Sequence, residues 1–578
     1  MSVPSGSVAR RLTVRLAALI SAVLALGLMP PQTSHASGGN GGGPTRAEAR
    51  VSAQLRSVRD RPTALAEFFR ALPKGADLHN HLSGAATTEL LLSLAVDDGY
   101  CIDRTTLTAS APPCTGNTRP AADTVTDPVF RQQVIAAWSM QDFVPGRGES
   151  GHDHFFATFG KFGAISGRHS GQLLAEVATS AAEQHQFYLE TMVTPASSAA
   201  ADLARRVGYD SDLSRLRARL VAGGLDAVVR QAMSETDAMI ADFRAAAHCD
   251  TAHPDAGCAL PVRFISQVLR GGPPAQVFTQ MLVGMELARR DPRFVSLNLV
   301  QPEDGPVATA DYRLHMSMLE YLRGVYPGVP LTLHAGELVP GLVKPEDLRF
   351  HIRAAVLTAR AERIGHGVDI RYEDDYRNLL RLMARRRVLV EILLTSNEQI
   401  LGVTGQDHPF PLYRRYGVPV ALATDDPGVE RTDISREYQR AALTYGLDYR
   451  ALKDLARTSL EYGFLAGESL WRTRDHRAVV RQCAGDRLGD PTPGRRCARF
   501  LASSAKASLE WRQEDAFRAF ERAYGARSPR AVSGPGIPAG VSGPGIYAGV
   551  SGPGIPAAVS GPGISAPWRA EGTGRRVP

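Results

Sequence analysis

A chain of 578 residues with 44% hydrophobic and 22% charged positions has a globular composition, long enough for a sizeable core. Its formal net charge of +7 is modest over that length, and very few of its basic residues are lysine. No dense basic run is interleaved with aromatics, which argues against a nucleic-acid-binding protein.

From the N-terminus, Arg10, Arg11 and Arg15 precede an apolar stretch from Leu16 to Met29, then Pro30, Pro31 and small residues up to Ala36. A basic head, a short apolar middle and a small-residue cleavage point predict a secretory signal peptide over residues 1–36, cleaved after Ala36. The apolar run is short for a bilayer span, so a retained anchor is the weaker alternative, and Arg10-Arg11 hints at twin-arginine export. The expected location is therefore extracellular, with no membrane contact after cleavage. Ser37 to Pro44 is Gly-rich, and a flexible leader is expected over 37–60.

The body, 61–527, alternates short apolar runs with amphipathic stretches. Strands are predicted at Ala76–His79, Phe187–Val193, Arg263–Leu269, Phe294–Val300, Leu331–His334, Arg363–His366, Val388–Leu394 and Val420–Thr424. Helical patterns fall between most of them, among them Pro274–Arg290, Ala310–Tyr326 and Lys344–Ala359. Strands apolar on both faces, each followed by a helix, imply parallel β-α units, and eight of them imply an α/β fold closed as a (β/α)8 barrel of the TIM type.

Insertions are expected at about 97–145 and 196–261, the second mostly helical, and closing helices at Arg436–Leu470 and Ser503–Ala523. Six cysteines form three sequence-local pairs: Cys101 with Cys114, Cys249 with Cys258, and Cys483 with Cys497. Export to an oxidising compartment makes local disulfides the simplest reading, although six cysteines allow fifteen connectivities. Residues 528–578 repeat a nine-residue unit beginning at Val532, Val541, Val550 and Val559, and its Gly and Pro density predicts a disordered tail.

Four motifs carry chemistry. Asp77-Leu78-His79-Asn80-His81-Leu82-Ser83-Gly84 ends the first strand, where residues two apart share a face, so His79 and His81 can present two imidazoles to one metal. Leu333-His334-Ala335-Gly336-Glu337 ends the fifth, bringing a third imidazole and a carboxyl placed for proton transfer beside the metal. Ile364-Gly365-His366-Gly367 ends the sixth strand, its glycines allowing close approach to the backbone. Ala423-Thr424-Asp425-Asp426-Pro427 ends the eighth, and its adjacent carboxylates repel unless a cation or donors share the site. Zn2+ accepts both imidazole and carboxylate and can satisfy Asp425 with the histidines. Singly, each motif has a bland reading: a core histidine, a capping Asp, a solvated Glu. Together they all sit at the C-terminal ends of strands, where barrel enzymes assemble their sites.

The ordered set HxHLxG, LHAGE, RIGHG, TSN and TDDP, spread over Leu72 to Gly467, resembles the adenosine deaminase family of metal-dependent hydrolases. The secreted context and inserted disulfide segments make it similar to the growth-factor-like branch. The resemblance implies one Zn2+ per chain on His79, His81, His334 and Asp425. It implies Glu337 as proton donor to ring N1, His366 and Asp425 as partners of the attacking water, and Asp426 on the purine; Asn397 of Thr395-Ser396-Asn397 braces the site. Ser83, Gln301 and His81 are also expected around the substrate. Ser83 stands where many members carry Asp, and Gln301 where a glycine amide meets the purine edge, which leaves the preferred 6-aminopurine open. The expected partner is a small purine nucleoside, with a homodimer as a further option. Three readings stand: adenosine or 2′-deoxyadenosine deamination, the same chemistry on another aminopurine, amide or ester, and a non-catalytic extracellular binding or signalling protein on the same fold.

Overall fold

The computed structural model describes residues 43–525 apart from 147 and 474. The predicted signal peptide and the nonapeptide repeats lie outside the described residues. Within them, no helix is long and apolar enough to cross a membrane.

Eight parallel strands form the core: β1 (Ala76–His81), β2 (Tyr188–Val193), β3 (Val262–Leu269), β4 (Phe294–Val300), β5 (Thr332–Ala335), β6 (Arg363–His366), β7 (Leu389–Ile392) and β8 (Val420–Leu422). The first four pair in chain order, as do the last four. Two seams join the halves. At one, the His81 N–H donates to Asp425 O and the Asp425 N–H to His79 O, both at 2.9 Å. At the other, side chains replace the backbone ladder: the Thr332 N–H donates to Ser296 Oγ at 3.2 Å and the His334 N–H to Asn298 Oδ1 at 2.8 Å. The result is the expected (β/α)8 barrel. Runs such as Leu389-Val390-Glu391-Ile392 are buried throughout because barrel strands face core side chains inside and helices outside.

The helix Pro274–Arg290 lies between β3 and β4 as its amphipathic pattern predicts. Three expectations need correction. The leader is not flexible over its whole length: Arg46–Val58 is a helix with a Thr45/Glu48 capping box, it buries Val51, Leu55 and Val58, and it packs on the closing helix Ala505–Gly525. The Lys344–Ala359 pattern shrinks to a 3-10 turn and a helix over His351–Leu357, because residues 336–350 form the loop that leaves the site. The expected Arg436–Leu470 stretch is two helices, Ile434–Tyr445 and Tyr449–Tyr462. They break at Gly446, whose φ of 63° suits only a residue without a side-chain clash, and Asp448 caps the second.

The disulfides pair as expected from the sequence, two of them within the stretches 97–145 and 196–261 and the third after the last strand. Cys101–Cys114 staples a small antiparallel sheet built on Cys101–Asp103, Cys249–Cys258 follows the long helix Leu225–Ala246, and Cys483–Cys497 holds the segment before the closing helix.

Candidate metal centre

Three strand ends bring four side chains to one point. From β1, His79 Nε2 lies 3.1 Å from His334 Nε2 of β5 and 3.3 Å from Asp425 Oδ1 beyond β8. His81 Nε2 lies 3.3 Å from His334 Nε2 and 3.2 Å from Asp425 Oδ1. A tetrahedron with metal–ligand bonds of about 2.0–2.1 Å has edges of about 3.3 Å, so these spacings are those of four ligands around one zinc-sized cation. The nitrogens also need one. With Nδ1 of His79 and of His334 each donating to an oxygen, their Nε2 lone pairs face each other beside a carboxylate, an arrangement that a shared cation stabilises and that neutral rings alone do not.

Outer partners orient the ring nitrogens. His79 Nδ1 meets Glu391 Oε2 at 2.7 Å, His334 Nδ1 meets Asn298 Oδ1 at 2.9 Å, and His81 Nδ1 meets the Gln267 amide at 2.9 Å. The Glu391 and Asn298 oxygens accept from Nδ1–H, which leaves Nε2 of His79 and His334 for the metal and raises ligand basicity; the Gln267 amide nitrogen positions the His81 ring without fixing its tautomer that way. Ser396 Oγ donates to Asp425 Oδ2 at 2.8 Å. Burial works against an ionised Asp425, but the hydrogen bonds and charge of the imidazoles gathered around it, His79 and His81 among them, outweigh burial and hold the carboxyl well below its usual range.

Glu337 stands beside the cluster, buried, with Oε1 3.6 Å from His366 Nδ1. Burial and the Asp425 charge push its carboxyl well above the usual range, so the proton stays on near neutral pH. Its backbone is clamped from behind, because Glu303 accepts from the N–H groups of Gly336 and Glu337 at 3.1 and 2.9 Å and meets His351 Nδ1 at 2.6 Å.

The proton on His366 is assigned by a chain of donors. The Phe410 N–H donates to His408 Nδ1 at 3.1 Å, which leaves the His408 proton on Nε2, donating to Asn397 Oδ1 at 3.0 Å. Asn397 Nδ2 then donates to His366 Nδ1 at 2.9 Å. His366 must therefore carry its proton on Nε2, which has no other partner and points toward Asp425 Oδ2 at 3.7 Å. Burial pushes His366 down to about 3 and His408 likewise, so both rings are neutral.

Asp426 follows in the same turn. Its Oδ1 has no partner, and burial with the Asp425 charge raises its carboxyl well above the usual range, leaving a donor. Gly84 is needed here, since a Cβ would stand 1.8 Å from that oxygen.

Ser83 and Gln301 are not brought into the cluster. Ser83 lines an adjoining cavity of about 230 Å3 shared with Gln267, Met192 and Glu235. The Gln301 side chain turns outward to accept from the Gly271 N–H at 2.9 Å. Its backbone has φ 83°, a glycine-type conformation, and His366 (67°) and Asp425 (66°) share that strain at strand ends. Left-handed non-glycine residues gathered around one point mark a site whose geometry the surrounding packing enforces.

The motif reading missed Glu391, Asn298, Gln267 and His408. The first three had a usable signal, a polar residue inside an otherwise apolar strand run, whereas His408 lies in a loop without periodicity.

A family model described as adenosine deaminase matches residues 151–476, more than half the chain. Over 182 residues the chain is 35% identical to an aminodeoxyfutalosine deaminase of Streptomyces coelicolor, covering 31% of this chain and 43% of that one. Over 154 residues it is 38% identical to an adenosine deaminase of Salmonella schwarzengrund, covering 26% and 43%. The chain thus spans less than half the length of these curated relatives. Among solved structures, an Arabidopsis N6-mAMP deaminase is similar with a TM-score of 0.47 and 21% identity, covering 69% of this chain and 96% of that one.

Proposed function

Because the chain belongs to the adenosine deaminase family, we propose that it is a secreted, zinc-dependent deaminase converting adenosine, and 2′-deoxyadenosine, to inosine-type products and ammonia. The observation that carries this reading is the set His79, His81, His334 and Asp425, whose ligand atoms lie within 4.8 Å of one another, with Glu337 and His366 beside it. The three histidines and carboxylate suit zinc, which when bound supplies Lewis acidity and makes hydroxide available near neutrality.

The chain's own groups supply the remaining chemistry. Addition of water at purine C6 breaks the ring's aromaticity, and a proton delivered to N1 stabilises the product of addition. Glu337 carries that proton. Asp425 forms the basic side of the site, where the proton released by water is held before it leaves with ammonia, and the His366 Nε2–H is placed to donate to the oxygen being added. Asp426, protonated and unpartnered, is placed to donate to an acceptor on the purine, and Ser83 and the Gln301 backbone bound the sugar and purine edges.

We assign the His366 tautomer a role in turnover. Asn397→Asp replaces the donor facing His366 Nδ1 with an acceptor and moves the proton to Nδ1. Turnover is expected to fall about 10²–10⁴-fold at unchanged zinc content, the range that loss of a positioned acid–base group costs. Steady-state kinetics with metal analysis checks this; wild-type turnover would remove the relay from the mechanism.

A second reading keeps the chemistry and changes the substrate. The departures at Ser83 and Gln301, and a relative named for aminodeoxyfutalosine, favour keeping other 6-aminopurines in the test. A non-catalytic role would require loss of the metal or proton-transfer groups, and His79, His81, His334, Glu337, His366 and Asp425 are all present. Ammonia release across adenosine, deoxyadenosine, adenine, AMP and guanosine separates the readings. Adenosine and deoxyadenosine are expected to lead. Metal-replete protein inert on the whole panel would refute both enzymatic readings.

Secretion rests on the N-terminal signal and fits three disulfides, which persist in oxidising compartments. On the same grounds we assign the chain to the growth-factor-like branch of the family.

A further inference from the structure

At the end of the barrel opposite the metal lies a cavity of about 610 Å3, within the range of small-molecule sites. It opens among the turns that lead into β6 and β7, so β6 runs from this cavity at Arg363 to the metal centre at His366.

Its charge is one-sided. Two lining arginines are neutralised: Arg363 by Glu190 and Glu391, each at 2.6 Å, and Arg323 by Glu362 at 2.7 Å. Lys506 Nζ, bonded to the Glu461 carbonyl oxygen at 2.7 Å, adds a cation, and the Glu461 carboxylate is the one remaining acid of the lining. Arg360, Arg386 and Arg387 complete it, exposed, and none is paired with a carboxylate among the described residues. Three guanidiniums without a carboxylate partner thus share a concave space, where low-dielectric walls focus the field more than a flat surface would.

The backbone adds a second observation. Arg387 caps the helix Tyr376–Arg386 with φ 57°, and Arg360 has φ 58°. Both are left-handed positions, the first of them a helix C-terminus where glycine is the usual residue, and a side chain there costs about 1–2 kcal/mol. The strained positions hold two of the three guanidiniums of the cavity that lack a carboxylate partner; the third, Arg386, donates to the Val356 carbonyl oxygen at 3.4 Å. Pro330, Val356 and Leu357, the last 38% exposed, supply an apolar wall beside the cations.

We propose that this cavity binds a small organic polyphosphate, its phosphates on Arg360, Arg386 and Arg387 and its organic part on the apolar wall. Guanidinium is suited to this task because its planar fork donates two parallel hydrogen bonds to one phosphate. The site is separate from the metal centre and independent of the reaction proposed there.

Calorimetric titration of the full-length, metal-replete protein with UTP and with inorganic tripolyphosphate tests the proposal; neither carries the aminopurine for which the metal centre is suited. Both are expected to bind, UTP more tightly. The double variant Arg360→Gly/Arg387→Gly is expected to weaken both at least tenfold, with zinc content and adenosine deamination unchanged. Glycine suits both backbone positions, so the variant relieves strain and keeps the fold. Absence of binding at millimolar ligand, or equal affinity in the variant, would overturn the site; tripolyphosphate binding as tightly as UTP would overturn the part played by the apolar wall.

Discussion

Replacing Glu337 with Gln is expected to lower deamination about 10³-fold, near 4 kcal/mol of transition-state stabilisation, while zinc stays at about one per chain. Glutamine matches the size of glutamic acid and keeps the backbone N–H that Glu303 holds at 2.9 Å, so the loop has no reason to move. What disappears is a transferable proton. Burial and the Asp425 charge hold the Glu337 carboxyl protonated near neutrality, and an amide cannot give its proton up at that pH. Because Glu337 is not among the four converging ligands, substrate affinity and metal content should change little, and the loss should fall on kcat. Kinetics on the purified variant, with its metal measured in parallel, decides the matter. Turnover within a few-fold of wild type would assign proton delivery to another group.

Removing a ligand should act differently, on metal and activity together. His334 contributes the nitrogen facing both His79 and His81, at 3.1 and 3.3 Å. His334→Ala leaves two imidazoles and Asp425 with one side of the tetrahedron open. Loss of an outer partner costs about 10–100-fold in metal affinity, and loss of a direct ligand should exceed that. The variant is expected to purify with far less than one zinc per chain and to show only background ammonia release. Chelator-stripped wild type should lose activity likewise and regain it on zinc addition. Two other acidic groups in the site could hold an ion, Glu337 with His366 and Asp425, and Asp425 with Asp426 and Glu430. Full metal occupancy in His334→Ala would move the ion to one of those and displace the proposed centre.

The barrel and the ligands were legible in the chain for one reason: both are written locally. A buried parallel strand is a short apolar run, and a residue at its C-terminal end is carried to the mouth of the barrel whatever the loops do. His79, His81, His334, His366 and Asp425 are all such residues, so counting strands placed them. The local disulfides were legible on the same footing, nine to fourteen residues apart.

Tertiary structure alone supplied what depends on partners distant in the chain. Glu391 lies 312 residues from the imidazole it orients, and the His408–Asn397–His366 relay depends on a loop with no periodic pattern. The capped helix at Arg46–Val58 has a helical pattern, yet its docking on Ala505–Gly525 is a contact no window of sequence contains. Protonation of Glu337 and Asp426 likewise follows from burial and a neighbouring charge, and both are properties of the folded surroundings. Periodicity can report which face of an element is buried; it cannot report which polar groups meet there, because their separation along the chain carries no trace of their separation in space.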